Sequence, residues 1–351
     1  MADAIASIQQ AVRSAGESRT ALAICGNGSK GFAGRTVTAE PLDVSANAGV
    51  VAYEPTELVI TVRGGTTIAD IETALFEHGQ CLAAEPPRFD GNATIAGTLA
   101  CNLSGPGRPW CGSIRDHVLG LRIVNGRGEH LRFGGKVMKN VAGYDVSRLQ
   151  AGALGTLGII TEVTLRVQPM AQHTLTLRQQ HSATDAVHIM NAWSGRNVPV
   201  SAASWYDGEL TVRLSGEGSA IEAIAAKLGG DAVVDARAYW GSVRELAHPF
   251  FDGDKPLWRF SVRSNAAPNA DDPGFINWGG AERWLRGDYD KAGLEAAAEA
   301  AHGEVCRFRG GERGDDVFHS RSPAQQRIHQ RIKAAFDPYG VLNPGRLYSW
   351  M

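Results

Sequence analysis

The 351 residues are enough to bury a sizeable core and exceed one average domain, so two domains sharing a cleft are expected. Lys and Arg number 35 against 37 Asp and Glu, a formal charge of -2, which argues against coating the phosphates of a nucleic acid and leaves a small anionic ligand open. Five cysteines form no CxxC and no ligand-spaced cluster, so neither an iron–sulfur centre nor structural zinc is supported and no metal is expected.

The chain opens on an amphipathic helix with Ile5, Ile8 and Val12 on one face, not on the positive-then-apolar layout of a secretion signal. No uncharged apolar stretch approaches about 18 residues, so no transmembrane segment is expected, and the expected location is cytoplasmic. A strand at Leu22 to Cys25 precedes the loop Gly26-Asn27-Gly28-Ser29-Lys30, and the β-branched Thr36-Val37-Thr38 reads as the next strand. Leu58 to Arg63 reads as a buried strand, followed by Gly64-Gly65 and a helix from Thr67, with Asp70 placed to complete its cap. Pro86 to Gly112 shows little periodicity and is expected to be a long loop wrapped around a ligand. Asn125-Gly126 sits between two strand patterns as a hairpin turn with positive φ at both positions, and a further strand spans 157–167.

From about Leu175 the pattern changes to strand, helix, a hairpin turning at Asp207-Gly208, a helix near 221–228 and a strand at 257–262. Helices follow at 291–301 and 323–336. This order suggests helices on one face of an antiparallel sheet, an α+β arrangement.

Gly26, Gly28 and Gly31 satisfy G-x-G-x-x-G, but no helix starts at the third glycine, and Lys30 is followed by glycine, so neither a Rossmann turn nor a P-loop fits. A loop between two strands whose successive N–H groups form an anion nest remains, with Ser29 as an added donor. A glycine turn without a ligand explains this loop equally well when it is taken alone.

It has company. Ala23 to Ser29, Pro55 to Val59, and Thr94-Ile95-Ala96-Gly97-Thr98 through Asn102 and Gly105 together resemble the FAD domain of the vanillyl-alcohol oxidase, or PCMH-type, family. Lys139 to Asp145 and Gly155 to Glu162 are similar to its next signature, and Phe336 to Arg346 to the closing segment of its glycolate- and lactate-oxidising branch. The motifs stand in family order over about half of the chain, and the Lys139 stretch looks most like the smaller FAD-binding (E) subunits of bacterial glycolate oxidases.

The resemblance implies a two-subdomain PCMH-type FAD-binding domain over 1–170, an α+β cap over 171–320 and a C-terminal segment, 321–351, returning to the first domain. Gly26, Asn27, Gly28, Ser29 and Lys30, with the Pro87 to Ser104 stretch, are then expected at the pyrophosphate. Gly155, Gly158 and Ile160 are expected at the adenosine side, and Asn343 towards the flavin ring. Gly97 and Gly105 would let backbone approach the cofactor, while Thr94, Thr98 and Asn102 supply polar contacts. The partners implied are a larger FAD subunit and an iron–sulfur subunit, through which the chain attaches peripherally to the inner membrane.

Two departures bear on chemistry. No histidine lies between Gly26 and Gly34, so the FAD is expected to be dissociable. The clustered cap histidines and acidic residue of the catalytic relatives are missing: there is no His-x-His pair, and Glu77-His78-Gly79 ends a helix, where a histidine faces the dipole. An arginine clamp and a base would be needed for a hydroxy acid. Arg307 to Arg313 with His319 reads first as a solvated charged loop, and Lys139 and Tyr144 lie near the flavin only by resemblance, so no catalytic residue is assigned. A self-sufficient hydroxy-acid or sugar-acid dehydrogenase and a non-catalytic assembly subunit remain as alternatives to the complex subunit.

Overall fold

A computed structural model describes residues 2–135 and 145–351. The expectations placed on Lys139 and Tyr144 therefore lie outside the described residues.

The opening helix, Ala2–Ser18, buries Ile8, Val12 and Ala15 against Leu22, Val124, Ile159 and Leu342. Strand Leu22–Cys25 then pairs in parallel with Glu40–Asp43. Residues 36–38 are not that second strand; the Thr36 amide instead donates to the Arg313 carbonyl (2.9 Å). The β-branched run carries strand propensity, but pairing falls to the segment holding Pro41, which an edge strand tolerates. On the other side of Leu22 a parallel bridge to Leu342 brings the C-terminal segment alongside.

A five-stranded antiparallel sheet runs in the order Val50–Glu54, Val59–Arg63, Ile159–Arg166, Val118–Val124, His130–Gly134. Helix Ile68–Phe76 packs Ile68, Ile71 and Leu75 into its core, and Thr67 caps it by accepting from the Asp70 amide. Between Val124 and His130 the chain turns differently from expected. The Asn125 side chain accepts from the Arg127 and Glu129 amides (3.0 Å each), so positive φ is needed at Gly128 (72°) rather than at Asn125 and Gly126. The 86–112 stretch is likewise no continuous loop: Ile95–Cys101 is helical, capped by Thr94, and Arg108–Cys111 forms one further turn. At seven residues the first of these is too short to declare a period.

Residues 173–309 supply an eight-stranded antiparallel sheet, in the order Asp231–Ala232, His173–Gln180, Glu209–Gly216, Val200–Tyr206, Phe275–Asn277, Glu282–Arg286, Leu257–Ser261, Glu304–Arg309. The hairpin at Asp207 and Gly208 has φ of 48° and 85°, the left-handed pair its sequence demands. Alternation sorts the sheet's two faces. Ala203, Trp205, Ile276, Trp258, Phe260, Leu285 and Val305 pack with the helices Ala183–Ser194, Gly218–Leu228 and Lys291–Ala300. Their neighbours Ala202, Phe275, Leu257, Trp284, Cys306 and Phe308 instead form a second core with Leu103, Phe32, Phe89 and Cys101, which joins this sheet to the first part of the chain. Helix Pro323–Phe336 returns to the five-stranded sheet, where Phe336 meets Phe133 edge-on with ring centroids 6.3 Å apart.

Candidate cofactor site

A cavity of about 230 Å³ opens where the Gly26 loop, the helix Ile95–Cys101, residues 154–160 and the C-terminal segment converge. Strand Leu22–Cys25 delivers the loop to its rim. Gly28 (φ 76°) faces open space, so its glycine is required by backbone conformation and not by crowding. The Gly31 amide closes onto the Gly28 carbonyl (3.1 Å), while among the described residues the amides of Asn27, Gly28, Ser29 and Lys30 donate to no protein acceptor. Four such donors in succession constitute a nest for an anion.

Lys30 supplies the charge. Its Nζ donates to Ser29 Oγ (2.9 Å) and lies 5.6 Å over the Phe89 ring, and burial pushes its pKa down to about 8. An ammonium so desolvated is stabilised by an anion placed against it. Arg346 joins it from the C-terminal segment, donating to the Gly31 carbonyl (3.2 Å), its own pKa also lowered by burial. Burial raises the Cys101 thiol, and the charges of Lys30, Arg346 and Arg259 oppose that rise.

Several glycines have close neighbours, and of Gly26, Gly64, Gly97, Gly155 and Gly158 only Gly64 would meet backbone closer than 3.0 Å. A Cβ on Gly26 would meet Thr94 Oγ1 at 3.0 Å, one on Gly97 would meet Lys30 Cε at 2.9 Å, and one on Gly64 would strike the Ile160 carbonyl at 2.2 Å. Gly155 (φ 72°) and Gly158 would press on Asn343 Nδ2 and Ile123 Cδ1 at 2.8 Å each. The Asn343 amide is held at both ends: Oδ1 accepts from the Ile24 amide (2.8 Å) and Nδ2 donates to the Leu154 carbonyl (2.7 Å). It latches the C-terminal segment across the cavity, with one lone pair of Oδ1 and one N–H of Nδ2 left over.

Of the residues expected at the cofactor, Gly26, Asn27, Gly28, Ser29, Lys30, Thr94 and Gly97 line this cavity from one side, and Gly155, Gly158, Ile160 and Asn343 from the other. Five do not line it. Thr98 is fully buried within its helix, and Asn102 (φ 51°) ends that helix in the left-handed conformation. Pro87, Ser104 and Gly105 border a separate small cavity of about 20 Å³ beneath the eight-stranded sheet. There the Ser104 hydroxyl accepts from the Ile114 amide (2.9 Å) and the Gly105 carbonyl from Trp278 Nε1 (2.9 Å). Sequence reasoning missed Gly64, Gly65 and Arg346 as cavity residues. Gly64-Gly65 directly after a buried strand was the available signal for the first two.

The charged 307–313 run is not a solvated loop. Arg307 and Arg309 lie on strand Glu304–Arg309, Arg313 donates to the Gly34 carbonyl (2.8 Å), and His319 is buried with Nδ1 accepting from the Val305 amide (3.3 Å). Among the described residues no three His, Cys, Asp or Glu side chains gather where they could hold a metal, and no helix is long and apolar enough to cross a membrane.

Comparison with known proteins agrees with this geometry. A family described as FAD binding domain matches residues 1–134. Glycolate oxidase subunit GlcE of Escherichia coli (strain K12) is 45% identical over 333 residues, 94% of this chain and 93% of its own length. Glycolate oxidase subunit GlcD of Bacillus subtilis (strain 168) is 34% identical over 137 residues, which are 39% of this chain and 29% of GlcD. Among solved structures, an alkyldihydroxyacetonephosphate synthase superposes over 96% of this chain and 73% of its own at a TM-score of 0.65 and 14% identity, a likeness of fold alone. The fold is thus the PCMH-type FAD-binding fold, and FAD is the cofactor. Free amides 27–30 beside the buried Lys30 are what a nucleotide diphosphate requires. With nearly half its residues identical over almost its entire length, the chain belongs to the glycolate oxidase subunit GlcE family of FAD-dependent oxidoreductases.

Proposed function

We propose that this chain is the smaller FAD-binding subunit of a glycolate oxidase complex, supporting oxidation of glycolate to glyoxylate with electrons passed through its flavin. The observation that carries the reading is the cavity where unpartnered amides 27–30 meet Lys30 and Arg346 in a GlcE-family chain. Bound FAD supplies a hydride and electron acceptor. The protein's own part is to hold it: amides 27–30 and Lys30 at the pyrophosphate, Gly155, Gly158 and Ile160 along the adenosine side, with Asn343 bracing the wall between them.

We assign residues 1–170 with 321–351 to cofactor binding and 171–320 to the cap. The FAD is held without a covalent bond, since no histidine stands in the Gly26–Gly34 loop. A larger FAD subunit and an iron–sulfur subunit complete the complex, which is cytoplasmic and reaches the membrane surface through them. The test is the flavin spectrum of the purified chain with glycolate under anaerobic conditions, alone and then with its co-purifying partners. Flavin that is released by acid, stays oxidised in the isolated chain and bleaches in the complex supports the subunit reading; full turnover by the chain alone overturns it.

A further inference from the structure

The loop that starts at Glu85 is held in a shape its own residues disfavour. Glu85 (φ 47°), Phe89 (45°) and Asp90 (56°) are left-handed, and Gly91 (82°) continues the turn. Non-glycine residues so crowded together persist only where their surroundings hold them. The hold comes from helix Ala236–Glu245, far along the chain. Its last residue, Glu245, accepts from the Arg88 amide on both oxygens (3.1 and 3.0 Å) and from the Phe89 amide on Oε2 (2.8 Å). Beside it Arg244 donates through Nε and Nη2 to the Pro86 carbonyl (2.9 and 2.6 Å) and pairs with Glu72 (2.6 Å). A carboxylate at a helix C-terminus works against the helix dipole, so Glu245 is explained by the amides it accepts from and not by its own helix.

What this loop carries is Phe89. The ring meets Phe32 edge-on (centroids 5.7 Å apart) and lies 5.6 Å from Lys30 Nζ, at the end of the amide nest. Cys101 on helix Ile95–Cys101 faces the same ammonium, and Arg346 reaches the neighbouring Gly31 carbonyl. With a ring in place of water on one side, the ammonium gains more from an anion than a solvated one would.

We propose that Glu245 is a positioning residue for cofactor binding: it holds residues 86–90 as a strap, with Phe89 against Lys30, and so tightens the grip of the amide nest on FAD. The inference rests on the placing of Lys30 at the pyrophosphate. Without Glu245 the left-handed residues relax, Phe89 leaves Lys30 and water reaches the ammonium. In the empty site Lys30 then keeps its proton to higher pH, and it gains correspondingly less when the diphosphate arrives. The two effects are one quantity. A rise of about one pH unit in the empty site takes about tenfold from affinity at pH 7, and nothing once Lys30 is neutral in both empty forms.

The test is fluorescence titration of the full chain with FAD between about pH 7 and 10. Glu245→Gln, which keeps the length and one acceptor, should bind FAD about tenfold more weakly at pH 7, begin losing affinity about one pH unit above wild type, and match wild type by about pH 9.5. Glu245→Asp, a carboxylate that falls short of the amides, should show the same pattern in weaker form and serves where the glutamine variant is unstable. Phe89→Leu should give the Glu245→Gln curve, and combining the two should change little further, because both act through one ring on one ammonium. Glu222→Gln, on the exposed side of helix Gly218–Leu228, should follow wild type. A Glu245→Gln curve displaced equally at every pH, or full additivity with Phe89→Leu, overturns the proposal and makes Glu245 a support of the fold alone. A curve identical to wild type overturns it as well. If Lys30→Met leaves FAD affinity intact, the placing of Lys30 at the pyrophosphate fails and the strap with it; if Lys30→Met weakens binding while Glu245→Gln does not, the strap alone is struck.

Discussion

Lys30 carries most of the charge logic of the cofactor cavity. In the empty site its proton leaves near pH 8, and a diphosphate set against it restores the charge, so FAD binding takes up a proton above that pH. The dissociation constant for FAD should therefore climb by up to about tenfold per pH unit above about 8, and Lys30→Met should weaken binding at pH 7 and abolish that slope. Fluorescence titrations between pH 7 and 10 read both. The FAD-free fold moves the other way: the unfolded chain keeps the proton up to the ordinary 10.5, so this group's contribution to stability grows from pH 8 towards 10.5. Glycine substitutions separate two causes. Gly28→Ala should cost about 1–2 kcal/mol, because its left-handed φ is strained for any side chain while space is open. Gly64→Ala should cost more and reduce FAD content, since its Cβ meets a backbone carbonyl that cannot swing aside; equal melting temperatures for the two variants would contradict this distinction.

At the scale of elements, the C-terminal helix and the segment after it are held to the cavity by few but buried bonds. Lys333 Nζ donates to Asp337 Oδ2 (2.7 Å), the Thr156 carbonyl (2.8 Å) and the Leu342 carbonyl (2.7 Å). Asp337 accepts in turn from the Leu342 amide (2.8 Å), with its side chain wholly buried. Lys333→Met leaves that carboxylate unpaired and should destabilise the fold by about 3–5 kcal/mol in urea unfolding, whereas Lys333→Met with Asp337→Asn should recover part of the loss. How far elements were legible follows from their length and partners. The capped helix at Thr67 and the Asp207-Gly208 hairpin announce themselves locally. The second strand of the small sheet does not, because parallel pairing with Leu22–Cys25 selects a segment with poor intrinsic preference. The seven-residue helix Ile95–Cys101 hides within glycines that are there for the cavity.

Across the whole molecule, one core joins the eight-stranded sheet to the first part of the chain, where Leu103, Phe32 and Phe89 pack with Trp284 and Phe308. Ion pairs Arg213–Glu85 (2.7 Å) and Arg244–Glu72 (2.6 Å) span the same junction. The chain should melt in a single transition, and FAD at 100 times its dissociation constant should raise its stability by about 2.7 kcal/mol for both parts together. Two calorimetric transitions, only one of them shifted by FAD, would refute that coupling. The cofactor loop was visible in the sequence because its glycines stand together. The junction core was not: Leu257, Phe275 and Trp284 stand on three strands, brought side by side by sheet pairing that no local pattern encodes.

The Asn343 latch also fixes an order of events in the cell. Its bond to Ile24 joins residues 319 positions apart, so a ribosome making about 5–20 residues per second leaves the first half of the cavity without its far wall for roughly 15–60 s. Throughout that interval the nascent chain exposes the apolar edge of Leu22 and Ile24 and offers the nucleotide only part of its lining. Flavin loading is thus a step that follows synthesis, and arrest of translation before residue 343 should yield nascent chains that retain no FAD.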